Sequence, residues 1–219
     1  MKGIGAPSYY PASLNIRGKR CVVIGGGEVA LRKARALLDC GAEVTVVSPT
    51  LHPDLAKLGE ARSIRPIHRD FQPEDLAGAT IAIAATDVKE VNQRVADAAR
   101  EQGVLVNVAD DSERSDFIFP SFFRRGGLTI AVSTSGMSPA LARKIRTRLE
   151  GIFGEEFALL LSMIRDVRSE LKGQGIAVSA DAWQEALDLD LLIGLVRGGQ
   201  AEEARALLRS RLEAHREER

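Results

Sequence analysis

Cysteine is scarce in this chain: Cys21 and Cys40 are the only two among 219 residues. That supply provides neither a disulfide framework nor the paired spacing of a zinc site. Cys21 falls in an apolar run that reads as a buried strand and Cys40 at a helix end, so a reducing, cytoplasmic setting is expected. Long apolar runs are missing as well. No stretch approaches the roughly 18 residues of a membrane span, and the N-terminal MKGIGAPSYYPASLNIRGKR lacks the continuous apolar core of a signal peptide. Net charge is absent too, with 30 basic residues against 30 acidic. Without a global field, neither nucleic acid nor an anionic membrane is an expected partner, and any basic patch has to be local. Histidine is limited to His52, His68 and His215. His52 precedes a proline in a loop, His68 sits beside Arg69 and Asp70, and His215 lies in a charged tail. None makes a persuasive metal ligand or nucleophile partner, so no metal site is expected.

The length suits one large domain or two modest ones. The run Arg20–Ile24, RCVVI, is short, apolar and β-branched, and GGGEVALRKARALLDCGAEVTVVSP follows at once. This predicts strand, tight turn, helix, turn, strand. In the helix, Ala30, Ala34, Leu37 and Leu38 share one face, Arg32, Lys33 and Arg35 lie mostly elsewhere, and Gly41 stops it. Further strands are predicted at Glu43–Val47 and at residues 63–67, 80–84 and 104–108, with helical spacing in VKEVNQRVADAAREQG between the last two. Strands alternating with helices over residues 20–108 point to a doubly wound parallel sheet. After Asp110 the texture changes. FIFPSFFRRGGLTIAVSTSG predicts two short strands about a Gly-Gly turn. Ser138 as N-cap and Pro139 at the first helical position then start a helix running to about Glu150. From about Glu155 the pattern is helical, with turn signals at residues 172–175 and 198–199.

Gly25, Gly27 and Ala30 form a G-x-G-x-x-A pattern between a predicted strand and helix. The first glycine permits the tight turn, the second lets backbone approach a pyrophosphate, and the small third residue lets helix and strand pack closely. The helix N-terminus offers N–H groups to phosphate. A purely steric origin for the glycines is the competing explanation. The acidic residue expected about 20 positions on is absent, and the second strand ends in Ser48, Pro49 and Thr50, which leaves NAD and NADP both open. Ala85 and Thr86, at the end of the fourth strand, are either a second ligand contact or, with Asp87, a helix cap region. Asp110 and Asp111 stand just beyond the fifth strand, where one carboxylate could act as general base and the pair could equally be turn chemistry. In extended backbone the two would point to opposite faces.

Four motifs, GGGEVALRKARALL, AATD with VNQRV, NVADD with FIFPS, and SGMSPALARKIR, together resemble the precorrin-2 dehydrogenase family over about residues 10–150. That family includes the dehydrogenase-chelatase half of bacterial siroheme synthase and stand-alone relatives. The resemblance implies NAD-dependent oxidation of precorrin-2, a tetrapyrrole with eight carboxylates, to sirohydrochlorin, and in some members insertion of ferrous iron. It implies that Asp110, three residues after Asn107, is the catalytic aspartate. It places dinucleotide contacts on Glu28 and Val29 in the turn that begins Gly25, Gly26, Gly27, and on Pro49 and Thr50. It also implies a homodimer. One departure is Thr134, which stands where some fused synthases carry a serine.

An anionic substrate of that size needs local positive charge, and Arg124, Arg125, Arg143 and Lys144 are the candidates, with Arg146 and Arg148 beside them. A solvated helix face is the plainer account of them. Phe117, Phe119, Phe122 and Phe123 could be core, dimer contact or tetrapyrrole wall. The expected fold is thus α/β: a Rossmann-like NAD-binding domain over residues 1–114, a small dimerisation segment over 115–150, and a helical domain over 151–219. The competing function is a nucleotide-sensing or tetrapyrrole-binding protein that keeps the fold without the chemistry.

Overall fold

The structure is a computed structural model that describes residues 9–214. The extreme N-terminus and His215, both considered above, lie outside the described residues. Five apolar runs form one sheet: β1 (Arg20–Ile24), β2 (Glu43–Val47), β3 (Ile64–Ile67), β4 (Ile81–Ala84) and β5 (Leu105–Val108). Their order is β3-β2-β1-β4-β5 and every pairing is parallel. Side chains alternate between the two faces, so Cys21 and Val23 join one core while Val22 and Ile24 join the other. Each face is covered. Helix α1 (Glu28–Leu38) lays Ala30, Leu31, Ala34 and Leu37 on the first, and α3 (Lys89–Glu101) lays Val95, Ala96, Ala98 and Ala99 on the second. Strands buried on both sides explain why the sequence shows continuous apolar runs there rather than alternation. Burial foremost, then neighbouring Cys40, pushes the Cys21 thiol up to about 11, so it stays protonated at neutral pH.

This is the expected doubly wound α/β sheet. Because β1 lies between β2 and β4, the strand order reverses there, and a crevice opens at the carboxyl ends of β1 and β4. Gly41, at φ +75°, ends α1 as expected. One helix was not foreseen. Between β2 and β3, α2 (Pro53–Glu60) begins at His52, whose Nδ1 accepts from the Asp54 N–H at 3.1 Å. His52 is therefore an N-cap rather than a loop residue. The helix was hard to read because it is short and, of its own residues, buries only Leu55.

Beyond β5 the chain stays with this sheet as far as Phe119. Asp116 N–H donates to the Val106 carbonyl at 2.8 Å, Asn107 Nδ2 donates to the Phe117 carbonyl at 2.9 Å, and Phe117 and Phe119 pack on the first core. These ties carry the boundary past residue 114, and the chain divides into two compact units that meet between Phe119 and Pro120. The strand pair and the helices expected as separate segments share the second unit. There β6 (Ser121–Arg125) and β7 (Leu128–Val132) pair antiparallel about the turn at Gly126 and Gly127. Helix α4 (Pro139–Ile152) starts as expected, with Ser138 Oγ accepting from the Leu141 N–H, and packs on the hairpin. Helices α5 (Glu156–Gly173), α6 (Ala180–Ala186), α7 (Leu189–Arg197) and α8 (Ala201–Ala214) close around Leu160, Val167, Leu171, Leu192, Leu208 and Leu212. Among the described residues no helix is long and apolar enough to cross a membrane.

Candidate functional site

A cleft of about 570 Å³ lies at the carboxyl ends of β1, β2 and β4. It gathers all the residues singled out from the sequence for a dinucleotide: Gly25, Gly26, Gly27, Glu28, Val29, Ser48, Pro49, Thr50, Ala85 and Thr86. The three glycines differ in what they do. A Cβ on Gly25 would fall 2.2 Å from the Ala85 carbonyl oxygen, and one on Gly26 would fall 1.9 Å from the Thr50 carbonyl oxygen. Those two are required by the packing of strand ends. A Cβ on Gly27 would meet nothing within 4 Å. Gly27 is the N-cap of α1 and supplies no side-chain cap, so the first-turn N–H groups keep their donors for a ligand. An open cradle at an uncapped helix N-terminus fits a pyrophosphate.

Several polar groups at the cleft are already engaged. Ser48 is buried and its hydroxyl donates to the Thr50 carbonyl at 2.7 Å, which shapes the loop that crosses Gly26. Thr86 Oγ1 donates to Asn92 Oδ1 at 2.8 Å and accepts from the Val88 N–H at 3.2 Å, while Asn92 Nδ2 returns a bond to the Thr86 carbonyl at 2.9 Å. The Thr86 side chain thus braces the entry to α3. Asn92 was missed in the sequence, although it interrupts an otherwise apolar stripe with Val95, Ala96 and Ala99, and a polar residue in such a stripe signals a buried bond. His52 was missed too. Because its Nδ1 accepts from Asp54, the ring hydrogen sits on Nε2, 2.9 Å from Glu28 Oε1, and holds that carboxylate at the cleft mouth.

The two aspartates after β5 are sorted by a turn, not by an extended strand as expected. β5 ends at Val108, Asp110 takes φ +60°, and Asp111 bridges back to Val108. Asp111 accepts from the Arg114 N–H at 3.1 Å and pairs with its guanidinium. Asp110 is exposed and makes no hydrogen bond or ion pair among the described residues. It does not line the cleft, but Ala109 is tied to the Ala84 carbonyl at 2.8 Å, so Asp110 stands next to the strand end that supplies Ala85 and Thr86. Lys33, expected off the buried face of α1, is half-buried at its border, with Nζ 3.4 Å from the centroid of the Phe119 ring. Burial foremost, then the charge of Arg32, lowers the Lys33 ammonium to about 8, against an upward pull from Asp110.

In the second unit the four candidate basic residues part company. Arg125 is engaged by Glu150 and Glu155, whereas Arg143 and Lys144 are exposed on α4. Arg124 lies 5.2 Å from the Phe122 ring centroid. Phe123 is buried, Phe122 is exposed, and Phe117 meets Phe119 edge-on at 5.3 Å. Among the described residues no three His, Cys, Asp or Glu side chains gather to hold a metal ion.

Residues 12–121 match the family described as putative NAD(P)-binding, and residues 125–152 match the family described as sirohaem biosynthesis protein central. The chain is 40% identical to a siroheme synthase of Chromobacterium violaceum over 208 residues, 94% of this chain and 44% of that one. It is 38% identical to siroheme synthase 1 of Aeromonas salmonicida over 196 residues, 88% of this chain and 42% of that one. The chain therefore spans less than half the length of these curated relatives. Among solved structures it resembles SirC, a precorrin-2 dehydrogenase, with a TM-score of 0.70 at 26% identity over 94% of this chain and 98% of that one. The likeness read from the four motifs recurs in these matches.

Proposed function

Because the chain belongs to the putative NAD(P)-binding family, we propose that it uses NAD to oxidise precorrin-2 to sirohydrochlorin in siroheme biosynthesis. The observation that carries this proposal is the open Gly27 cradle at an uncapped helix N-terminus, with an exposed Asp110, engaged in no hydrogen bond among the described residues, at the adjoining strand end. NAD bound there supplies the hydride acceptor. The substrate loses a hydride and a proton, and the proton goes to the Asp110 carboxylate, whose engaged neighbour Asp111 is not placed to take it. The glycine turn and first-turn N–H groups hold the pyrophosphate, and the backbone of Pro49 and Thr50 walls the cleft. The similarity to SirC and to siroheme synthases supports the choice of substrate.

The charge of the cleft lining supports NAD over NADP. Glu28, Asp70 and Asp87 line the cleft, and no lysine or arginine does. A 2′-phosphate would bring a charge of about −1.5 to −2 into that field. A like charge at contact distance costs about 1 to 4 kcal/mol, enough for NADP to bind about fivefold more weakly or worse.

The proposed assembly is a homodimer through the second unit, where Phe122, Leu141, Ile145 and Ile152 are exposed on β6 and α4. The proposed compartment is the cytoplasm, consistent with two cysteines outside any disulfide. Ferrous iron would enter as a substrate, with the macrocycle nitrogens as its ligands, and of the two pyrrole protons displaced Asp110 would receive one and release it to solvent before or as the second leaves. The test is to mix the protein with precorrin-2 and NAD without metal and to follow NADH and sirohydrochlorin by absorbance. Stoichiometric formation of both supports the dehydrogenase, and later addition of ferrous iron under anaerobic conditions reports on insertion. Binding of NAD and tetrapyrrole without oxidation would establish the non-catalytic alternative instead.

A further inference from the structure

We infer that Lys33 anchors one carboxylate of the tetrapyrrole beside Asp110, so that it fixes how the substrate lies against the base; this rests on the precorrin-2 proposal above. The starting point is an ammonium with no carboxylate in contact. Lys33 Nζ makes no hydrogen bond or ion pair among the described residues, and the Phe119 ring at 3.4 Å is the group it faces. The ring satisfies one side of the cation through its quadrupole but accepts none of the three N–H donors in the ordinary way. Its surroundings decide what is missing. Arg32 and Asp110 are the charged groups that act on it, one of each sign, and burial lowers its proton affinity to a value of about 8. An arriving carboxylate would supply the contacting acceptor that the fold does not.

Position connects this cation with the site. Lys33 lies four residues after Val29 on α1, hence on the same helix face one turn further from the cleft that Val29 lines. It is also within electrostatic reach of Asp110. Of the other basic side chains of α1, Arg35 pairs with Asp54, and Arg32 is exposed without the ring contact that holds Lys33. A substrate carboxylate held at Lys33 is thus on the helix that opens the dinucleotide cleft and within electrostatic reach of Asp110. Such an anchor acts through binding, so its loss raises KM more than it lowers kcat.

The experiment compares the wild type with Lys33→Met and Lys33→Arg in the precorrin-2 assay, with sirohydrochlorin titration by absorbance and NAD titration by calorimetry alongside. Lys33→Met is expected to raise KM and weaken sirohydrochlorin binding about 10- to 100-fold, the value of a hydrogen bond to a charged group, with kcat changed by less than about threefold. NAD affinity stays as in the wild type. Lys33→Arg restores most of the affinity. The pH profile separates anchoring from mere packing. Wild-type KM rises as pH passes about 8 and the ammonium loses its proton, the arginine variant keeps its KM there, and the methionine variant shows no such step. Unchanged KM and sirohydrochlorin binding in Lys33→Met, or a loss of NAD binding, overturns the inference. A wild type that binds sirohydrochlorin but does not oxidise precorrin-2 overturns the proposed reaction while the titration still judges Lys33.

Discussion

A methyl group on Gly25 would lie 2.2 Å from the carbonyl oxygen of Ala85, so the end of β1 and the end of β4 approach as closely as backbone allows. The same residue holds φ +121°, a region that L side chains rarely enter. Gly27 carries neither constraint. Gly25→Ala and Gly26→Ala are therefore expected to lower Tm by several degrees or to prevent folding, and Gly27→Ala to melt near the wild type. Gly27→Leu is expected to fold and to lose NAD binding, because its side chain occupies the approach to the helix N-terminus. Thermal melts paired with NAD titration check this, and normal titration by Gly27→Leu would contradict the cofactor assignment.

The second prediction concerns the brace under the cleft. Asn92 is buried and accepts from both the Thr86 N–H and the Thr86 hydroxyl. Asn92→Leu leaves the Thr86 N–H and carbonyl without a partner, while the Thr86 hydroxyl can still donate to the Val88 carbonyl, and is expected to cost about 2 to 4 kcal/mol in urea unfolding. Thr86→Val removes only the hydroxyl and is expected to cost about 1 kcal/mol. Equal losses in the two variants would mean that Asn92 is not the centre of this network.

Most of the first unit was legible in the sequence because its strands are buried on both faces and its first helix is punctuated by glycine at both ends. Gly25, Gly41 and the β-branched runs RCVVI and EVTVV each carry a local signal that the packing does not override. The harder residues are those whose role depends on distant chain. Nothing near Lys33 in sequence announces Phe119, which reaches it only because residues 115–117 are tied to β5. His52 gave a misleading signal, since histidine is an unusual N-cap and the proline after it suggested a loop. The aspartates were read through the wrong backbone. Extended geometry was assumed, whereas Asp110 enters the left-handed region that aspartate tolerates, and the chain turns there.

Lys33 also makes a prediction about stability. Its pKa is about 8 in the folded protein against the usual value near 10.5, so the folded state gives up the proton first. Below about pH 8 the lysine is charged in both states and the cost of burying it is present throughout. Between about 8 and 10.5 the unfolded state binds more protons, so this residue's contribution to stability rises with pH. Lys33→Met removes the penalty and is expected to stabilise the protein by roughly 1 kcal/mol or more at pH 7, with the gain shrinking towards pH 10. Urea unfolding of both proteins across that range measures it. A variant that is more stable and binds sirohydrochlorin less well would show the exchange of stability for function expected of a binding residue. A destabilised Lys33→Met would indicate that contact with Phe119 matters more than charge.

The last prediction separates the two aspartates. Asp110 sits at φ +60°, where alanine is strained by about 1 kcal/mol or more, so Asp110→Ala would mix a backbone effect with the loss of the base. Asn tolerates that region and matches the shape of the side chain, which makes Asp110→Asn the cleaner variant. It is expected to melt like the wild type, to bind NAD normally, and to lower kcat for precorrin-2 oxidation about 100- to 10,000-fold, the usual reach of general base catalysis. Asp111→Asn is the paired variant. It keeps an oxygen for the Arg114 N–H while weakening the ion pair with the Arg114 side chain, so it is expected to lose at most about 1 kcal/mol of stability and to retain most activity. The reverse pattern, an active Asp110→Asn beside an inactive Asp111→Asn, would mean that the turn opens when substrate binds and releases Asp111 from Arg114. If both variants turn over normally, neither carboxylate takes the proton, and catalysis at this site has to come from holding precorrin-2 against NAD in a reactive orientation.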